Sequence, residues 1–272
     1  MPTTYTHYRY GRDVLSFLPE RIRGDIEPYL RFYDIGVHGP DILFYYRPYH
    51  HNRINQYGVK IHHEPAINFF DKAFDVFQEQ HGMPQARAYL AGFMTHFILD
   101  STCHPYIRRR ARETGVSHTE IEADLDMVLM REDEYKPMKV YRTASILPTL
   151  AVSRVIAPYY DKTPLQIKES LIGQKFLVDH IFRSRFGVKR YLAGEISRVM
   201  GSGKRKGSVI TLLKEHFIKE NVNPDSMDTI GQLRMLMNGS RQECADMIIL
   251  LCDALDRRDK RLLQHPRLNR RF

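Results

Sequence analysis

From residue 67 onward the apolar positions of this chain recur at intervals of three and four, the spacing of one face of an α-helix. Ile67, Phe70, Phe74 and Phe77 make the first stripe. Gln85–His104 comes next, almost wholly apolar from Tyr89 to Leu99, and Pro105 is expected to stop it. A helix from near Ser117 to Met130 would carry Ile121, Leu125, Val128 and Leu129 on its apolar face. Past Pro137 the same spacing predicts helices over Ala144–Ala157, Pro164–Met200, Val209–Lys219, Ser226–Asn238 and Ser240–Arg258, with Pro164 suited to a first helical turn. Upstream, Arg12–Leu18 and Gly24–Phe32 read as short helical pieces. Tyr33–Val59, rich in Gly, Pro, Tyr and His, reads as a long loop, and such loops are commonly functional. No segment alternates as a strand would, and no internal repeat occurs. The predicted fold is all-α: one multi-helix bundle over residues 1–272, with a first half to about 135, a helical completion over about 136–258 and a basic tail over 259–272.

Composition adds limits rather than chemistry. With 272 residues, 43% hydrophobic and 27% charged, the chain has ample core for a globular domain. No apolar run spans a bilayer, because His96 and Asp100 interrupt the best one. The opening MPTTYTHYRY has no apolar signal region, and three spaced cysteines (Cys103, Cys244, Cys252) without a CxxC pair suit a reducing compartment, so a cytoplasmic location is expected. The net charge of +9 gathers at Arg108–Arg112, Lys204–Lys206 and from Arg257 onward. Solvated helix ends and a mobile tail explain it on one reading, and attraction to phosphate-bearing substrates or an anionic membrane surface on another.

The candidate chemistry lies on the most apolar helix. His96, Asp100 and His104 succeed one another at steps of four, which keeps them within roughly 80° of one face. Singly, each reads as a hydrogen-bonded core or helix-end residue. Together in an apolar helix, two imidazoles and a carboxylate are a good set for a divalent ion such as zinc. His118 and Glu122, again four apart, can clamp an ion with His104 as a third ligand. Asp41 in the loop, His62 or its neighbour His63, and His7 near the start are weaker candidates taken alone. The Gly-rich MGSGKRKGS segment is not a phosphate loop: Arg205 stands where Ser or Thr is needed, and no strand precedes it. Neither cysteine zinc-finger spacing nor the ExxH pairs of di-iron bundles appear.

The order His7, Gly39-Pro40-Asp41, His62, His96-x3-Asp100-x3-His104, His118-x3-Glu122 resembles the zinc-dependent phospholipase C family and the related S1/P1 nucleases. The resemblance spans about the first half of the chain. It implies an all-α fold of the phospholipase C/P1 nuclease type with a zinc cluster that hydrolyses phosphate esters. On that resemblance, Asp41, His62, His96 and Asp100 would hold one zinc and His104, His118 and Glu122 a second, while Asp100 would bridge to a third shared with His7. His62 is preferred to His63 because the family histidine stands four after a glycine, here Gly58. The third position departs from the family, whose N-terminal tryptophan supplies an amine and a carbonyl: this chain has no tryptophan and begins Met-Pro. Two zinc ions are therefore expected and the third stays open. Removal of Met1 would leave a prolyl amine five residues before His7, the interval of the nuclease branch.

The function implied is that of a phosphoesterase acting through metal-activated water, with Asp41 as both ligand and general base on the strength of the resemblance. The substrate would be a phospholipid head group or a soluble diester. An S1/P1-type nuclease or nucleotidase on the same site is the alternative, nucleic acid being the less expected partner. A non-enzymatic metal-binding helical protein is the third class. Tyr45, Tyr46, Tyr49 and Tyr57 would either wall the site by cation–π contact or stacking, or simply pack the loop. His38, His50 and His51 either touch substrate or are solvated.

Overall fold

The computed structural model describes residues 4–48, 50, 52–137, 139–181 and 222–272. Among these there are helices and no strands, so the all-α expectation holds. Its axle is a helix of 31 residues, Pro84–Thr114, buried without a break from Ala88 to Ser101. A helix apolar on every side must be surrounded. In chain order, α1 (Thr4–Leu15), α2 (Glu20–Ile26), α3 (Leu30–Gly36), α4 (Arg53–His63) and α5 (Ala66–Glu79) precede this axle, α6. After it come α7 (His118–Glu132), α8 (Leu150–Ile156), α9 (Pro164–Phe176), α10 (Met227–Gly239) and α11 (Arg241–Arg257). Of these, α1, α2, α3, α5, α7, α8, α10 and α11 pack on α6, and α3 does so most extensively.

That α3–α6 crossing is made by two glycines. A Cβ on Gly36 would stand 2.2 Å from the Tyr89 carbonyl oxygen, and one on Gly92 would stand 2.2 Å from the Tyr33 carbonyl oxygen. The bare backbones therefore touch, and the turn after α3 is drawn against α6 beside His96. Around them the core is aromatic: Phe69 stacks on Phe93 at 3.8 Å, and the Tyr89 and Tyr160 hydroxyls meet at 2.6 Å.

The structure corrects several element boundaries. Pro105 does not end the axle, which runs nine residues further to a left-handed Gly115 (φ 74°). The ring faces solvent, buried Cys103 and Ile107 hold the helix on either side, and the Arg and Ala residues after it are strong helix formers. The cost of about 3 kcal/mol for an interior proline is thus offset by packing. The stretch read as a long loop is helical over much of its described length: α3 continues to Gly36, a 3₁₀ helix covers Gly39–Tyr45, and Asn52 caps α4 by accepting from the Ile54 and Asn55 amides at 3.0 Å. Of Arg12–Leu18 only Arg12–Leu15 is helical, as the end of a helix that begins at Thr4, and Ser16–Leu18 form the turn after it. The helix expected over Ala144–Ala157 starts only at Leu150, because Pro148 keeps Leu147 out of helical geometry and Thr149 caps the new helix. Pro164 does open α9, which ends at Phe176 in a π-turn over Leu177–Ile181. The rest of that expected helix, Val209–Lys219, the MGSGKRKGS segment and its basic cluster, Met1 and Pro2, Tyr49 and His51 lie outside the described residues.

The basic tail is docked rather than free. Two short 3₁₀ turns, Lys260–Leu263 and Pro266–Asn269, bury Leu263 and Leu268. The Arg270 carbonyl accepts a hydrogen bond from the Ala66 amide at 2.9 Å, and Phe272 is buried against Phe93 and Phe97. Arg267, itself buried, donates to Thr102 Oγ1 at 2.7 Å and lies 3.0 Å from Glu243. Its aliphatic and planar surfaces, not its charge alone, make it a packing residue here.

Candidate metal centre

All eight residues singled out from sequence converge on one buried region. Four helices and one short segment deliver them: α1 brings His7, the 3₁₀ helix Asp41, the end of α4 His62, the axle His96, Asp100 and His104, and α7 His118 and Glu122. They fall into three groups whose ligand atoms lie within 4.8 Å of one another: His7 with His96 and Asp100, Asp41 with His62 and His96, and His104 with His118 and Glu122.

Asp100, 3% exposed, sits at the middle. Its Oδ1 faces His7 Nε2 at 3.2 Å and His104 Nε2 at 3.4 Å, while its Oδ2 faces His96 Nε2 at 3.3 Å and His62 Nε2 at 4.0 Å. Each oxygen of one carboxylate thus addresses a different pair of imidazoles. Asp41 lies 3.1 Å from His62 Nε2 through Oδ1 and 3.7 Å from His96 Nε2 through Oδ2. Glu122 Oε1 stands 2.9 Å from His118 Nε2 and 3.2 Å from His104 Nε2. Of the two neighbours, His62 faces the cluster and His63 is exposed.

The second ring nitrogens say what the first are for. His62 Nδ1 meets the Gly58 carbonyl at 2.8 Å and His96 Nδ1 meets the Val37 carbonyl at 3.3 Å. A carbonyl accepts only, so each Nδ1 carries the hydrogen and, in the neutral ring, Nε2 presents a lone pair. Those lone pairs point at carboxylate oxygens, which also only accept. Consistently, His96 Nε2, both oxygens of Asp41 and Asp100 Oδ2 are buried without a hydrogen bond. Acceptor facing acceptor in a buried site is repulsive by several kcal/mol unless a proton or a metal cation stands between them. Imidazole anchored at Nδ1 by a carbonyl is also how zinc-binding histidines are usually held. The residues fit divalent metal.

Burial works against the ionised Asp100 carboxyl, but His104, His96 and His7 together hold it well below its ordinary range. Glu122 is likewise held low despite burial, by His118 and His104 among others. Burial lowers His96, whereas at His62 the Asp41 carboxylate outweighs burial and raises it.

A family model for zinc-dependent phospholipase C matches residues 6–177, more than half of the chain. The chain belongs to the zinc-dependent phospholipase C family. No curated protein and no solved structure matches it in the same comparisons. Every one of the eight metal-centre residues lies within the span matched to zinc-dependent phospholipase C, and the docked tail lies beyond it. Membership supports a zinc hydrolase of phosphate esters, and among the described residues no helix is long and apolar enough to cross a membrane.

Two features of this phospholipase C-family site had no legible signal in sequence, and the loop tyrosines follow one of their two expected readings. His38 is buried with its Nε2 unpartnered, and burial, reinforced by nearby His7, lowers it to about 3, so it stays neutral beside the cluster. Its position in an apparent loop concealed this. His62 is held between Phe44 and Phe272, with ring centroids at 5.4 and 5.5 Å, and Phe272 also touches His96 at 5.9 Å. Phe272 is 210 positions from His62 along the numbering, and no local pattern links them. The loop tyrosines take mostly structural places: Tyr45 and Tyr46 are buried in the core, and Tyr57 lies under Lys72 and Lys162.

Proposed function

We propose that this protein hydrolyses a phosphodiester of phospholipid head-group type with zinc held by His7, Asp41, His62, His96, Asp100, His104, His118 and Glu122. The observation that carries the reading is Asp100, one buried carboxylate whose two oxygens each face a separate pair of Nε2 atoms. That arrangement suits a ligand bridging two ions. Bound zinc would supply Lewis acidity, neutralising phosphate oxygens and lowering the pKa of water toward about 7.

The chain's own groups have separable tasks. Gly58 and Val37 carbonyls orient His62 and His96. Phe44, Phe93 and Phe272 exclude water from the faces of those rings. Asp41, 1% exposed and with neither oxygen hydrogen-bonded, is the group to take the proton from the attacking water at one carboxylate oxygen while the other serves as ligand. A cytoplasmic location and a soluble diester belong to the same proposal.

Metal content by elemental analysis and a substrate screen on one preparation test it. Bound zinc with turnover of a choline phospholipid or bis-p-nitrophenyl phosphate is the expected result. Release of nucleotides from single-stranded DNA instead would favour the S1/P1-type nuclease. Zinc without turnover of any ester would replace catalysis by metal binding alone.

A further inference from the structure

His7 reaches the cluster from the first turns of α1, and what fixes that end of α1 is a carboxylate on another helix. Asp126, 1% exposed, stands four residues beyond Glu122 on α7 and so on the same side of that helix. Its Oδ1 accepts from the Thr6 amide and the Thr6 hydroxyl, both at 2.7 Å, and its Oδ2 accepts from the Tyr5 amide at 3.2 Å. Arg142, itself buried, donates to Oδ2 at 3.3 Å and to the Val178 carbonyl at 3.2 Å, so the charge is balanced where it stands. The amides involved are among the first four of a helix, which have no partner inside it. Asp126 satisfies two of them from a distance of 120 residues in sequence.

We propose that Asp126 is a positioning residue for the metal centre: it registers the start of α1 against α7, and thereby His7 against Asp100 and Glu122. The proposal rests on the reading of this cluster as a metal site. The rest of α1 has its own anchors, since Tyr10 and Val14 are fully buried and the Tyr10 hydroxyl lies 2.9 Å from Ser240 Oγ. Losing the Asp126 clamp therefore frees the first turn rather than the helix. His7 is one residue from the clamped Thr6 amide, and its ring stacks on His96 at 4.4 Å. Small rotations of that turn carry its Nε2 away from Asp100.

Asp126→Asn is the direct variant. Its amide nitrogen must face either the Thr6 amide or the Tyr5 amide and Arg142, groups that can only donate, so one clamp bond is lost either way. Zinc would be titrated into the apo full-length protein while histidine ring nitrogens are tracked by NMR. In the wild type His7 and His118 should both shift on binding. In Asp126→Asn the His7 midpoint should move to at least about tenfold more zinc, the usual scale for losing a group that orients a ligand, with the His118 midpoint unchanged. Thr6→Val, which removes only the hydroxyl donor, should move His7 in the same direction by less, and it decides the matter if Asp126→Asn does not fold. Unchanged His7 midpoints in the folded variants, whatever their melting temperatures, overturn the positioning role alone. A wild type whose His7 ignores zinc overturns the metal reading at that residue instead.

Discussion

Gly92→Ala tests the fold's central contact. The new Cβ would stand 2.2 Å from the Tyr33 carbonyl oxygen and 3.0 Å from the Val37 amide nitrogen, where ordinary contacts begin near 3.4 Å. Both obstacles are backbone, so no side chain can rotate away, and α3 and α6 must part by about 1 Å. Overpacking of this kind costs about 1–3 kcal/mol, and the upper end applies because neither partner can yield. The better helix propensity of alanine returns about 1 kcal/mol. A net loss of about 2 kcal/mol corresponds to about 4–8 °C in Tm for a chain of this size. Urea and thermal unfolding in EDTA would measure it without metal contributing. Gly231→Ala is the internal control: its Cβ meets nothing within 4 Å, so it should stabilise by about 0.5–1 kcal/mol. Because the turn after α3 carries Asp41 to His96, the Gly92 variant should also bind zinc more weakly. A Gly92→Ala protein as stable as the wild type would refute the close-contact account.

Other predictions address single groups. Asp100→Ala should lose more than one zinc equivalent by elemental analysis, whereas Glu122→Ala should lose one, since only Asp100 addresses both ends of the cluster. Asp41→Asn should lower kcat far more than it raises KM in steady-state assays, and near-wild-type kcat would remove it as the base. Burial pushes the Asp34 carboxyl up to about 6 against the pull of Arg12, 2.7 Å away. The folded state therefore holds that proton more tightly than the unfolded one, and Asp34 contributes stability below about pH 4 that is lost as pH rises through about 6. Asp34→Asn should accordingly gain on the wild type between pH 4 and 7 in denaturant unfolding, and a flat difference would contradict this. Phe272→Ala should cost about 3–5 kcal/mol of stability and weaken zinc at His62 and His96, measured by unfolding and by competition with a chelator.

Much of the helical pattern and the whole candidate set that converges could be read from residue order, for a local reason. Helical periodicity repeats every three or four residues, so stripes such as Phe70, Phe74 and Phe77, and the steps of four in His96, Asp100, His104 and His118, Glu122, carry their geometry within one or two turns. Even Asp41, His62 and His7, far apart in the chain, could be named because the order and spacing of the full set resemble one family.

The folded molecule was needed for whatever depends on contacts between distant segments. Pro105 and the Gly- and Pro-rich stretch after Tyr33 carry strong local signals for breaks, and tertiary packing on the axle overrides both. Charge suggested a free tail, yet buried Leu263, Leu268 and Phe272 dock it beside His62. The Asp126 clamp, the Gly36–Gly92 crossing and the buried His38 have no local signature, because each is defined by segments packed against it from well beyond a helical turn in sequence. Sequence by itself determined which residues share a helix face and which chemistry they offer. Tertiary structure decided how those faces meet, because burial energy sums over contacts between distant segments and local preferences, at about 1 kcal/mol per residue, give way to it.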